Sequence, residues 1–254
     1  MTNILFRWEN RVCISCFFQL TFSSLLLLGQ PAVKTQYAVS FAEREPSAFL
    51  VDQPDLWKDA ACTVWGPGPY TTEFRALWNN QGLFLRFDAY DRQPWSTMTR
   101  RDAHLWEEEV VEIFLDPNGS GQNYAEIEIS PANVICDVLM RRAWPNKNSD
   151  LSWNFRGLAS RVFTFPSSSE PSSGWRAFLS LPWNGFRTLP SIKNVSLPPQ
   201  PGDQWQFNLF RIKRPGGKSD PEKDVIYAAW SPTGEPSFHV PRAFRPLLFR
   251  GKVK

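Results

Sequence analysis

Histidine and cysteine are scarce in this 254-residue chain, which has two His and four Cys. His104 and His239 fall into no Cys/His zinc-ligand spacing. Net charge is also small, +3 from 28 Lys+Arg against 25 Asp+Glu. That removes the basic footprint of a nucleic-acid-binding protein. Beyond residue 30 no segment approaches the ~18 apolar residues of a membrane-spanning helix. No Ser/Gly linker separates two folding units, and no repeat recurs at a fixed period. Helix formers do not dominate and 22 Pro are spread along the chain, which excludes a coiled coil.

What the chain has in excess is aromatic rings, with 12 Trp, 20 Phe and 5 Tyr. So many rings bury enough area to offset the entropy of ordering, so disorder is excluded. A chain of this size buries roughly 70% of its unfolded surface, enough for its own core. The question is whether the core uses every ring.

Residues 1–32 differ from the rest. Arg7 and Arg11 precede an apolar run over 12–28, which is followed by Gly29-Gln30-Pro31-Ala32. This is the layout of a secretory signal peptide and implies a secreted, periplasmic or extracellular protein. Glu9, Gln19, Thr21, Ser23 and Ser24 weaken the pattern, so an N-terminal extension and a membrane anchor stay open. Cys13 and Cys16 fall inside this segment. Cys62 and Cys136 remain as one disulfide or two buried thiols, and spacing does not choose between them.

The remainder reads as short strands. Residues 73–78 and 83–90 flank the turn Asn79-Asn80-Gln81-Gly82. Leu83, Leu85, Phe87 and Ala89 alternate with polar positions that include Arg86 and Asp88, giving one buried face. Residues 110–116 place Val111, Ile113 and Leu115 inward and Glu112 outward. Residues 124–130 place Ala125, Ile127 and Ile129 inward and Glu126 and Glu128 outward. Further strands are expected at 135–140, 175–181, 205–212 and 247–249, with weaker signals at 156–165 and 224–230. Short strands, polar turns and few helical stretches imply one all-β domain, a two-sheet antiparallel β-sandwich.

Several motifs then fall in a recognisable order. Trp106-Glu-Glu-Glu-Val-Val-Glu-Ile-Phe-Leu-Asp116 resembles the signature segment of the family 9 carbohydrate-binding modules. Asp55-Leu-Trp57, Ala76-Leu-Trp78 with the strand at 83–88, Gly174-Trp-Arg-Ala-Phe-Leu-Ser-Leu-Pro-Trp183, and Ala229-Trp-Ser-Pro232 follow the family's order. The resemblance covers roughly 45–250 and assigns 45–254 to a jelly-roll-like sandwich of the wider DOMON-like superfamily. It implies non-catalytic binding of a mono-, oligo- or polysaccharide, structural calcium, and a role beside glycan breakdown. Trp106 matches one ring of the family's aromatic clamp, Phe238 stands where the family places a second tryptophan, and Glu112 matches a sugar-binding glutamate. Glu126 and Glu128 replace the glutamine and arginine of the sugar binders. The chain is more similar to a single-domain branch of unknown ligand.

The residues themselves allow this chemistry. A pyranose offers apolar faces to flat rings and a hydroxyl rim to polar groups. Pairing of the two strands would bring Trp106 near Glu112, Glu126 and Glu128, whose carboxylates accept from hydroxyls and also suit calcium. Arg141 and Arg142 are positioned to offset that charge. A solvated strand face and edge-of-core packing of Trp106 are the plainer readings. Trp57, Trp78, Trp175, Trp183 and Trp205 read as core, whereas Trp95, Trp144 and Trp153 lie in loop-like stretches. Asp116 and Asn118 have alternating oxygen ligands like a calcium loop, but Ile127 stands where a twelfth-position Glu would be, so a plain hairpin turn competes. A glycoside hydrolase would draw two carboxylates from Glu107, Glu108, Glu109, Glu112, Glu126 and Glu128. A haem site would need Met98 with His104 or His239. A partner-binding sandwich without a sugar ligand is the remaining alternative.

Overall fold

The computed structural model describes residues 36–165 and 173–252; the leader expected at 1–32 lies outside the described residues, with Cys13 and Cys16. Its regular structure is almost all strand. In chain order the strands are β1 (Tyr37–Phe41), β2 (Cys62–Trp65), β3 (Thr72–Trp78), β4 (Gly82–Tyr90), β5 (Val110–Asp116), β6 (Tyr124–Ile129) and β7 (Ile135–Arg142). They continue as β8 (Asn148–Asp150), β9 (Ala159–Phe165), β10 (Gly174–Pro182), β11 (Gln204–Lys213), β12 (Ile226–Ala229) and β13 (Arg245–Phe249). The two α-helices, α1 (Pro54–Trp57) and α2 (Trp183–Phe186), are single turns.

One sheet runs β8-β7-β6-β5-β11-β13, with β12 also on β11. The other runs β3-β4-β10-β9, with β2 on β3. Every pairing within these sheets is antiparallel. The exception is β1, which lies parallel to β13 through Tyr37–Val39 and parallel to β3 through Ser40 and Phe41. It thereby joins the two sheets along one edge. Neither β1, β2 nor β8 is marked by alternation long enough to stand out in the sequence.

The alternating apolar positions of both sheets meet in the central core. Leu83, Leu85, Phe87 and Ala89 of β4 pack in one cluster with Val111, Ile113 and Leu115 of β5 and Ala125, Ile127 and Ile129 of β6, and Trp78, Trp175 and Trp205 are among them. All five tryptophans read as core are buried. Three of their N–H groups find acceptors at depth: Trp78 Nε1 donates to Arg250 O at 2.8 Å, Trp183 Nε1 to Asn79 O at 2.8 Å and Trp175 Nε1 to Glu109 Oε1 at 3.0 Å. A buried indole without an acceptor loses much of what its area contributes.

Through the central strands β4, β5, β6, β10 and β11 the second faces of the sheets are not solvated, which corrects the expected polar exterior. Their even positions carry Phe84, Phe178, Phe114 and Phe210, and these rings must be covered. Over one sheet, Phe49, Trp57 and Ala60 close a small cluster on Leu77, Phe84 and Phe178. Over the other, Leu105 and Phe244 close a cluster on Val110, Phe114, Tyr124, Val138 and Phe210. The residues expected to face solvent on β4, Arg86 and Asp88, are buried and paired at 2.8 Å. The fold is a β-sandwich with a packed layer on each outer face, and the described residues form one compact unit.

Candidate functional site

The layer over β5 and β6 is incomplete and leaves a pocket of about 1080 Å³. Its floor is sheet and its walls come from residues 104–106, 147–151 and 222–239. Four of the five sequence-selected binding residues, Trp106, Glu112, Glu126 and Phe238, line it. The fifth, Glu128, lies beside it on the same sheet face, opposite Glu112 in register. Pairing of β5 with β6 is what assembles them, since all three glutamates project from one face, two residues apart or directly opposed.

Trp106 is partly buried, with one face stacked on His104 at 4.4 Å between centroids and 19° between planes. Phe238 stacks on Phe210 at 4.2 Å and 19°, with Tyr227 edge-on to it at 6.0 Å. Each ring is therefore backed by another and held in a fixed plane, so little rotamer freedom is left to lose on binding. Tyr227 is 48% exposed and lines the same pocket.

The carboxyl groups are buried, with Glu112 at 2%, Glu126 at 7% and Glu128 at 0% exposure. Burial, and then repulsion by Glu126, pushes Glu112 well above the ordinary carboxylate range. Glu128 is raised in the same way, by burial first and then by Glu112 and Glu126. Burial lifts Glu126 to about 7, against the pull of the Lys147 charge. His239 covers the same patch. Its Nδ1 lies 3.1 Å from the Tyr124 hydroxyl, its ring stacks on Phe114 at 4.8 Å, and its Nε2 is 3.9 Å from Glu126. Burial, helped by Lys147, brings this imidazole down to about 3, so it is neutral near pH 7.

The expected countercharges are elsewhere. Arg141 pairs with Asp150 at 2.7 Å on the surface, and Arg142 is exposed. The cation that borders the acids is Lys147, in the loop after β7. A register shift between Met140 and Arg142 falls where these arginines leave β7. Tyr227 and Lys147 carry no mark in the sequence, and His239 none as part of this site, because a short strand and two loops far apart along the chain bring them together.

Asp116 and Asn118 serve the hairpin turn between β5 and β6. Asp116 Oδ2 accepts from Gly121 N at 2.7 Å and Asn118 Oδ1 from Ser120 N at 3.1 Å. Among the described residues no group of three or more His, Cys, Asp or Glu is placed to hold a metal. The other clustered acids are structural. Glu108 accepts from Thr97 N at 2.7 Å, and Glu109 is buried against Arg211 at 3.1 Å and Lys213 at 3.0 Å. Glu107 is exposed beside His104. Trp95 and Trp153 are tied into loops away from the pocket, through Arg214 O and Thr188 Oγ1. Trp144 is 36% exposed and donates its backbone N–H to His239 O, one step behind the pocket wall. No disulfide joins Cys62 to Cys136, the second of which is buried in β7.

Comparison with known proteins bears on this geometry. Residues 51–134, which include Trp106, Glu112, Glu126 and Glu128, match the family described as carbohydrate family 9 binding domain-like. An extracellular protein of Arthroderma benhamiae is 25% identical over 190 residues, covering 72% of this chain and 80% of that protein. A family 9 carbohydrate-binding module from Caldicellulosiruptor kristjanssonii superposes with a TM-score of 0.59 in its cellotriose complex and 0.58 in its glucose complex. Identity is 13% in both, over 86% of this chain and 95% and 97% of the module. The chain thus carries a family 9-like segment over 51–134 and has, across its described length, the fold of the family 9 carbohydrate-binding modules.

Proposed function

We propose that this protein binds a saccharide in the pocket over β5 and β6 and does not cleave it. The carrying observation is the union of ring-backed aromatic walls, Trp106 and Phe238, with a floor of carboxyl groups from Glu112 and Glu126. Flat rings take the C–H faces of a pyranose, and carboxyl groups take its hydroxyls. The cellotriose and glucose complexes of the module with the same fold support a sugar as the ligand class.

Binding rather than hydrolysis is supported by where the acids stand. Glycoside hydrolysis needs two carboxyl groups flanking the scissile bond. Here Glu112, Glu126 and Glu128 share one face of one sheet. The acids across the pocket are engaged, Glu222 by the Tyr227 hydroxyl at 2.6 Å and Glu235 by Arg242. A single pocket gives weak affinity, on the order of micromolar to millimolar. The extracellular relative and the leader-like residues 1–32 support export, and outside the cell the protein would work beside enzymes that open polysaccharides.

The test is titration with cellotriose, glucose and a wider glycan array, alongside Trp106→Ala. The variant is expected to keep the parent melting temperature within a few degrees and to lose binding. A folded Trp106→Ala protein with parent affinity would refute the site, and release of reducing sugar by the purified protein would refute the non-catalytic reading.

A further inference from the structure

The pocket floor is electrostatically unbalanced. Glu112 borders the cavity and, among the described residues, accepts no hydrogen bond. Behind it, neither carboxyl oxygen of Glu128 has a donor from the backbone or a cationic side chain, and its polar neighbour is another acid, Glu126. Directly opposed residues in an antiparallel pair have Cβ atoms about 5 Å apart, so Glu112 and Glu128 crowd each other. The groups facing them from the covering segments do not compensate. His239 is neutral, His104 lies on Trp106, and Glu222 and Glu235 already have partners. Among the described residues, Lys147 alone brings positive charge to these three carboxyl groups.

An ammonium group on the ligand meets each of these conditions. It is donor-only where carboxylates are acceptor-only, its bonds to them are charge-assisted, and the faces of Trp106, Phe238 and Tyr227 attract cations. A hydroxyl does the first of these in part and the last not at all. Resting on the saccharide reading, we infer that the preferred ligand is an amino sugar, a pyranose carrying a free ammonium group that docks on Glu112 and Glu126. Burial raises Glu112 well above the ordinary carboxylate range and lifts Glu126 to about 7. An arriving ammonium favours their ionised forms, so protons leave to solvent.

Calorimetric titration of the whole protein at pH 7 with three trisaccharides tests this: deacetylated chitotriose, its N-acetylated form and cellotriose. They differ at the 2-position alone. The free amine is expected to bind about tenfold tighter than cellotriose, the gain of one charge-assisted contact. Its apparent enthalpy is expected to differ between phosphate and Tris buffers, reporting proton release. Glu112→Gln should abolish the preference, so that the amine and cellotriose bind with equal affinity. If that variant misfolds, Lys147→Ala at an exposed position serves instead and should tighten the amine more than cellotriose. Equal affinity for all three sugars, or a preference for cellotriose, overturns the amino-sugar inference and leaves the saccharide reading standing. Failure of every sugar to bind overturns both.

Discussion

Replacing Glu126 with Gln should stabilise the protein at neutral and alkaline pH and leave it unchanged in acid. Protonation and folding are linked at this carboxyl group. Glu126 has an ordinary value of 4.5 and is raised to about 7 in the fold, chiefly by burial. Below pH 4.5 the carboxyl is protonated in both folded and unfolded chains, and it costs nothing. Between pH 4.5 and 7 the unfolded chain ionises while the folded chain does not, so stability falls as pH rises. Above pH 7 the loss levels off at about 3 kcal/mol, taking roughly 1.4 kcal/mol per pH unit over the interval. Gln is neutral and similar in size, so it removes this loss and with it the repulsion that Glu126 exerts on Glu112 and Glu128. For a chain of this size about 3 kcal/mol corresponds to roughly 6–12 °C in melting temperature. Thermal unfolding of parent and Glu126→Gln proteins, in acid near the ordinary carboxylate value and again in mild base, should show coincident curves in the first and a gap of that order in the second. Parallel curves with no pH-dependent gap would refute the buried, proton-holding floor.

Three other outcomes follow from the packing. Glu109→Gln removes one of the two anions, with Asp91, that Arg211 and Lys213 share in a fully buried site, so urea unfolding should report a loss of about 3 kcal/mol or more. Gly174→Ala should disrupt the β4–β10 seam, because a Cβ there would lie 2.2 Å from Ala89 O; the amount of soluble protein and its melting temperature report this. Phe238→Ala should weaken saccharide binding with a smaller effect on stability than Glu109→Gln, since Phe238 is only partly buried, and paired titration and melting measurements separate the two.

The inner half of the sandwich is legible in the sequence because strict alternation leaves little choice. Leu83, Leu85 and Phe87, or Ile127 and Ile129, have one face to bury, and a period of two says which. The outer half is not, for a related reason. Glu112, Glu126 and Glu128 read as a wet face, yet what covers them comes from segments near Leu105 and Phe244, and alternation carries no information about distant loops. The apolar residues Phe84, Phe114, Phe178 and Phe210 at the same parity are the available signal. Trp106, Glu112 and Phe238 are marked by family resemblance, while Glu126 and Glu128 follow from strand pairing. Tyr227 and Lys147 have neither source. Asp116 and Asn118 illustrate an ambiguity of another kind, since the oxygen spacing of an ion loop and that of a capped hairpin are nearly the same.

The strand β1 has a kinetic meaning. It takes its hydrogen bonds from β13 and from β3, so Tyr37 must wait for Leu247 before its register is complete. Contacts between such distant positions are slow to form, because the intervening loop must close first. The seam between the two sheets is therefore complete only when residues from both ends of the described chain meet. Until then Tyr37 and Val39 leave a gap in a core that is otherwise paired. Completing this seam thus depends on a contact that spans nearly the whole described chain.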